Sequence, residues 1–191
     1  MSKGLFIVVA ASLVVCGCNP RMFTIQRLSG WPIDGRLACP VEAVEVTSDN
    51  SLDLHDGAYV ALTSHSITDG RFSTEVSMPS GSMVTFFLRT TRHTLLHRAD
   101  SGAVLRITST QSTLNMPDGR SYDLAATIPH NTPVVIEFAQ DGDYLDLTVN
   151  CTRLQRVPWA RPSTSTIIVA ARTPGTVALV DPLFEPLYTN E

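Results

Sequence analysis

The chain has 191 residues, a formal net charge of −4 and 43% hydrophobic residues. Its one lysine is Lys3, so the rest is acidic with arginine as its long-chain cation, which argues against a basic nucleic-acid binder and against a polybasic membrane arm. Four cysteines are too few for a disulfide-dense mini-protein, and the length supports one domain with a core of its own.

The first element is a leader. Lys3 supplies a short positive region, and Leu5 to Val15 is an apolar stretch suited to a signal segment but too short to span a bilayer. Val15-Cys16-Gly17-Cys18 follows, with an aliphatic residue at −3 and a small one at −1 relative to Cys18. This resembles the lipobox of bacterial lipoproteins, which implies diacylglycerol and acyl chains on Cys18 and a stable membrane anchor. The rival reading is a soluble export signal cleaved nearby. Asn19, where an Asp marks inner-membrane retention in the enterobacterial pattern, favours the outer membrane of the cell envelope. The expected organisation is a signal peptide over 1–17, a lipidated tether over 18–37 and a folded domain over 38–191. Cys39 and Cys151 remain as an even pair for an oxidising compartment, and a disulfide between them would stabilise the fold by about 4–5 kcal/mol in the entropic picture.

From Val41 onward the apolar period is two, the mark of strands with one face buried. Phe72, Val76 and Met78 share one face of a run whose other face is Arg71, Ser73, Glu75 and Ser77. Val134 to Gln140 leads through Asp141-Gly142 into a second alternating run, a hairpin signal because the tight turn needs a positive φ. Val134, Ile136 and Phe138 then face inward with Leu145, Leu147 and Val149, while Glu137, Tyr144, Asp146 and Thr148 face outward. Further strands are expected at 41–46, 57–62, 83–90, 103–109, 120–125, 166–171 and 176–180, with no amphipathic helix of ten residues. Many short strands in one domain imply an all-β, two-sheet antiparallel sandwich or a barrel.

Asp56-Gly57-Ala58-Tyr59-Val60, Asp69-Gly70-Arg71-Phe72, Phe87-Leu88-Arg89, Gly102 to Ile107, Asn131 to Ile136, Leu147 to Asn150 and the closing pair from Thr166 to Leu187 come in an order that resembles concanavalin A-like domains. Laminin G-like modules and the bacterial 3-keto-disaccharide hydrolase-like domains are the members in view. His130 stands where the pattern has Trp, and Cys151 where it has Gly. The resemblance implies a jelly-roll sandwich, often used to bind glycans and sometimes to cleave glycosides.

Glycosidases need two carboxyl groups flanking one bond. The strand motif that carries them on this fold, Glu-x-Asp-x-(x)-Glu, is absent. The outward set is Glu75, Arg89, Arg106, Glu137, Tyr144 and Asp146, with Phe87 of similar direction. Were the strands adjacent, these residues would form a charged face with aromatic platforms for a sugar. Glu75 with Glu137 is the acid–base alternative, and a solvated face of Arg–carboxylate pairs the plainer one. His93 and His97 have zinc-like spacing, but Thr94 replaces the required Glu. No cofactor is expected, with structural calcium at Asp49, Asn50, Asp53 and Asp56 or at Asp141, Asp143 and Asp146 as the metal reading. Trp159, in a Pro-rich connection, is expected to plug the core; it and Trp31 are the two tryptophans. The favoured function is a lipid-anchored, non-catalytic envelope protein that binds carbohydrate or another envelope component. The alternatives are a glycoside-cleaving enzyme and a structural or assembly lipoprotein.

Overall fold

A computed structural model of the chain describes residues 22–25, 33–37, 43–47, 51–63, 70–88, 102–159 and 166–186. In chain order the strands are β1 (Met22–Ile25), β2 (Ile33–Leu37), β3 (Val44–Val46), β4 (Leu52–Leu54), β5 (Tyr59–Thr63), β6 (Gly70–Ser77), β7 (Met83–Leu88) and β8 (Ala103–Thr108). They continue as β9 (Ser112–Asn115), β10 (Ser121–Leu124), β11 (Val134–Asp141), β12 (Tyr144–Val149), β13 (Thr152–Pro158), β14 (Thr166–Arg172) and β15 (Val177–Pro186). Every pairing is antiparallel, in an eight-stranded sheet ordered β1-β2-β5-β14-β7-β8-β9-β10 and a seven-stranded sheet ordered β13-β12-β11-β6-β15-β4-β3. This is the jelly-roll sandwich.

The period-two pattern decides which side chains lie between the sheets. Phe72, Thr74 and Val76 of β6 are buried, while Arg71, Ser73, Glu75 and Ser77 reach the outer side. In β11 and β12, Ile136 sits opposite Val149 and Phe138 opposite Leu147, the expected inward set. Gly142 holds φ +56° in the turn between them, as the Asp-Gly signal requires. The centre of the core is aromatic. Phe72 lies 6.3 Å from Phe138 and 4.9 Å from Phe184, and Phe138 lies 5.3 Å from Phe86 of the opposing sheet. Trp159 is 8% exposed and closes one end. Its N–H donates to the Asp143 carbonyl at 2.8 Å, and its carbonyl accepts from Gln140 Nε2 at 3.3 Å.

Five strands were not anticipated. β1 and β2 fall inside the segment read as a tether, and β2 pairs with β5, so the folded domain takes in residues before 38. Their residues mix apolar and polar types without strict alternation, so their strand character comes from pairing. β4 and β9 have three and four residues, too short for a period to register. β13 is an edge strand in which Val157 alone is buried and the other side chains stay accessible, which removes the alternation a half-buried strand displays.

The expected Cys39–Cys151 disulfide is not present: Cys151 is a free, exposed thiol. Cys39 lies outside the described residues. The described strands before and after it lie away from Cys151. β2 pairs next to β5, and β3 is the edge of the seven-stranded sheet farthest from β13, at whose start Cys151 sits. Six strand spacings of about 4.8 Å separate β3 from β13. Asn150 (φ 46°) and Cys151 (φ 62°) instead form the two-residue turn joining β12 and β13. Two successive positive φ values are the signature of the tight hairpin turn that matches strand twist.

Candidate ligand-binding face

The sandwich offers two outer faces, and the outward residues divide between them. On the seven-stranded sheet, β13, β12, β11, β6 and β15 lie side by side. Register aligns Arg156 of β13 with Asp146 of β12, and Asp146 with Ala139 of β11. Ala139 aligns with Arg71 of β6, and Arg71 with Glu185 of β15. Arg71 Nε donates to Glu185 at 3.1 Å and its Nη1 to Glu137 at 3.4 Å. The Glu185 hydrogen bond holds the guanidinium above its ordinary pKa, with the Glu137 charge adding to the effect against partial desolvation.

Asp146 is 6% exposed and lies beneath two arginines, Arg153 at 3.2 Å and Arg156 at 3.4 Å. Arg156 also reaches Asp141 at 3.3 Å and stacks 4.5 Å over the Tyr144 ring. Each described guanidinium on this face therefore has a carboxylate, and the aromatic expected as a platform is roofed by one of them. A shallow depression of about 440 Å³ opens beside the network, lined by Arg71, Val135, Glu137, Thr148, Cys151 and Arg153. Glu75 aligns with Val135 and Glu137 with Ser73, so the two glutamates are diagonal neighbours, a relation with about 7–8 Å between strand positions. Glu137 is engaged by Arg71. Of the calcium reading, Asp141 and Asp146 are held by arginine and the Asp56 carboxylate accepts from the Thr173 N–H at 3.0 Å. No three metal-type side chains converge among the described residues.

The outer face of the eight-stranded sheet is built differently. Val84, Phe86 and Leu88 of β7 enter the core, so Met83, Thr85 and Phe87 face out. The same alternation turns out Tyr59 and Ala61 of β5, Ile168, Ala170 and Arg172 of β14, Val104 and Arg106 of β8, and Thr113 and Asn115 of β9. One row across the sheet runs Tyr59, Ala170, Thr85, Arg106, Thr113 and Asp123. The adjacent row runs Ala61, Ile168, Phe87, Val104 and Asn115. Ala170 contributes only a methyl between β5 and β7, so the half-buried Tyr59 and Phe87 rings lean together at 6.1 Å with a 51° tilt. Ile168, Ala61 and Thr85 form a buried floor around them. Burial raises the Tyr59 phenol above its ordinary pKa. Arg106 and Arg172 are exposed and make no ion pair among the described residues.

The expected outward set is thus split. Glu75, Glu137, Tyr144 and Asp146 share the seven-stranded face, whereas Arg106 and Phe87 belong to the opposite one. A single face carrying all of them does not exist, because β6, β11 and β12 pair with one another while β7 and β8 pair in the other sheet. Arg89, Cys18, Trp31, His93, His97, Asp49 and Asn50 lie outside the described residues. Tyr59 was missed as a surface group. Its strand was anticipated, and the outward phase of that strand, read from buried Val60 and Leu62, was the available signal.

No family model matches the chain, and a search of curated proteins finds no match. Solved structures do match. The Bacillus licheniformis β-glucanase is 10% identical with a TM-score of 0.60, covering 87% of this chain and 98% of that one. The carbohydrate-binding module CBM66 from Bacillus subtilis is 11% identical with a TM-score of 0.52, covering 74% and 90%. The VIP36 exoplasmic/lumenal domain, in its Ca²⁺/Man3GlcNAc-bound form, is 9% identical with a TM-score of 0.56, covering 83% and 86%. The fold is a concanavalin A-like sandwich. Within that sandwich, the aromatic pair and the arginines without an ion pair among the described residues lie together on the eight-stranded face.

Proposed function

We propose that this is a lipid-anchored envelope protein that binds carbohydrate, without catalysis, on the outer face of its eight-stranded sheet. The observation that carries the reading is the half-buried Tyr59–Phe87 ring pair. The apolar C–H faces of sugar rings pack on aromatic surfaces, and polar groups around them fix orientation through hydrogen bonds. Arg106, Thr113 and Asn115 supply such groups in the same two rows. The structural neighbours add support, since a β-glucanase, a carbohydrate-binding module and a mannoside-bound lumenal domain share the sandwich. The anchor half of the reading rests on the sequence around Cys18 and its apolar leader.

The test is a panel of soluble glycans titrated against the full chain in detergent, with Phe87→Ala beside the parent. Binding weakened about tenfold or more in the variant supports the reading, provided its melting curve stays cooperative. A panel without any binder overturns it. Glycan cleavage that disappears in Glu75→Gln or Glu137→Gln would replace binding by catalysis. For the anchor, Cys18→Ser should move the protein out of the membrane fraction, and retention there would defeat that part.

A further inference from the structure

We infer that the glycan bound by this face is acidic, with carboxylates on its sugars; the inference rests on the carbohydrate reading above. Its basis is the unequal treatment of arginine on the two faces. Among the described side chains of the seven-stranded face, Arg71, Arg153 and Arg156 are each closed onto carboxylates within 3.4 Å. Arg120, in the turn before β10, is likewise closed onto Asp118 at 2.7 Å. On the eight-stranded face, Arg106 and Arg172 are exposed and have no such partner among the described residues. In a chain of net charge −4, carboxylates are in excess, so two arginines left open on one face are a local feature and not a consequence of composition.

Their placement relative to the rings adds to this. Arg106 stands between Thr85 and Thr113, one row from Phe87. Arg172 aligns with Met83, two residues along β14 from the Ala170 beneath the ring pair. β7 alone separates the strands that carry them. Strand spacing and rise put the two Cα atoms about 12 Å apart, on either side of Met83 and Thr85. The outward carboxylate nearest along that row, Asp123, lies two strands from Arg106 at the sheet edge. A guanidinium stays charged at any physiological pH, and its planar fork matches a carboxylate through two parallel hydrogen bonds. A ring stacked on Tyr59 and Phe87 would thus bring an acid group on itself or its neighbour over an arginine.

The experiment is calorimetric titration of the full chain in detergent with oligogalacturonate, oligoglucuronate and oligomannuronate, each beside its carboxyl-reduced counterpart, and with dextran sulfate. The expected result is that at least one uronate oligomer binds about tenfold or more tightly than its reduced form. The Arg106→Gln/Arg172→Gln double variant, with an unchanged melting temperature, should erase that difference, while Arg153→Gln should keep it. Equal binding of acidic and reduced oligomers, or binding of neutral glycans alone, overturns the acidic ligand and leaves the carbohydrate reading standing. Dextran sulfate binding as tightly as the best uronate overturns the assignment to carboxylates. Absence of binding to every glycan, neutral ones included, overturns both.

Discussion

The two outer faces of this sandwich come from the same alternation and reach opposite ends. On the seven-stranded face charge is satisfied internally: Asp146 is buried under Arg153 and Arg156, and Arg71 bridges Glu137 and Glu185. On the eight-stranded face two rings, a buried floor of Ile168, Ala61 and Thr85, and two open arginines lie side by side. Satisfied charges have little left for a partner, and partly exposed rings beside cations that are unpaired among the described residues have more. Interaction capacity on such a fold is decided by what the neighbouring strands leave unpaired, not by how many charged residues point outward.

The largest effect expected from this contrast is on stability. Arg153→Ala with Arg156→Ala removes both ion pairs of Asp146 and the Arg156 contact with the Tyr144 ring and should lower the unfolding free energy by about 1–2 kcal/mol. Arg106→Ala with Arg172→Ala removes exposed groups that have no ion pair among the described residues and should stay within about 0.5 kcal/mol per site. Urea denaturation with intrinsic fluorescence measures both. Similar losses in the two pairs would erase the distinction between the faces.

A smaller effect concerns the depression on the seven-stranded face. Cys151→Gly should stabilise the chain by about 0.5–1 kcal/mol, because a β-carbon at φ 62° is strained and glycine is not. Glycan affinity should not change. A loss of affinity in this variant would move the binding site to the wrong face.

The smallest effect is a titration. The Arg120 backbone N–H, then its side chain, hold the Asp118 carboxyl below its ordinary value of 3.8. A folded value below the unfolded one means a contribution present above the unfolded value and lost as pH falls through the folded one. The Asp118 midpoint followed by NMR should lie below 3.8. A midpoint at or above 3.8 would mean that this turn is not closed in solution.

Much of the fold was legible before the structure. The inward partners of the β11–β12 hairpin, the positive φ of Gly142 and the burial of Trp159 all follow from local pattern. The proposed binding face was less legible. Phe87 and Arg106 were among the outward residues, but Tyr59 was not, and Glu75, Glu137, Tyr144 and Asp146 belong to the face that closes on itself. The cysteine pairing failed for a related reason: parity of cysteines says nothing about the tight turn that Cys151 occupies.

The amino-acid order by itself determined which side chains point in and which point out, because a pleated strand turns each residue opposite to the last whatever it pairs with. Only the tertiary structure decided which outward residues meet. Strand neighbours such as β5, β14 and β7 are far apart along the chain, and their association is set by burying both sheets' apolar sides against each other, a cooperative result that no single segment encodes.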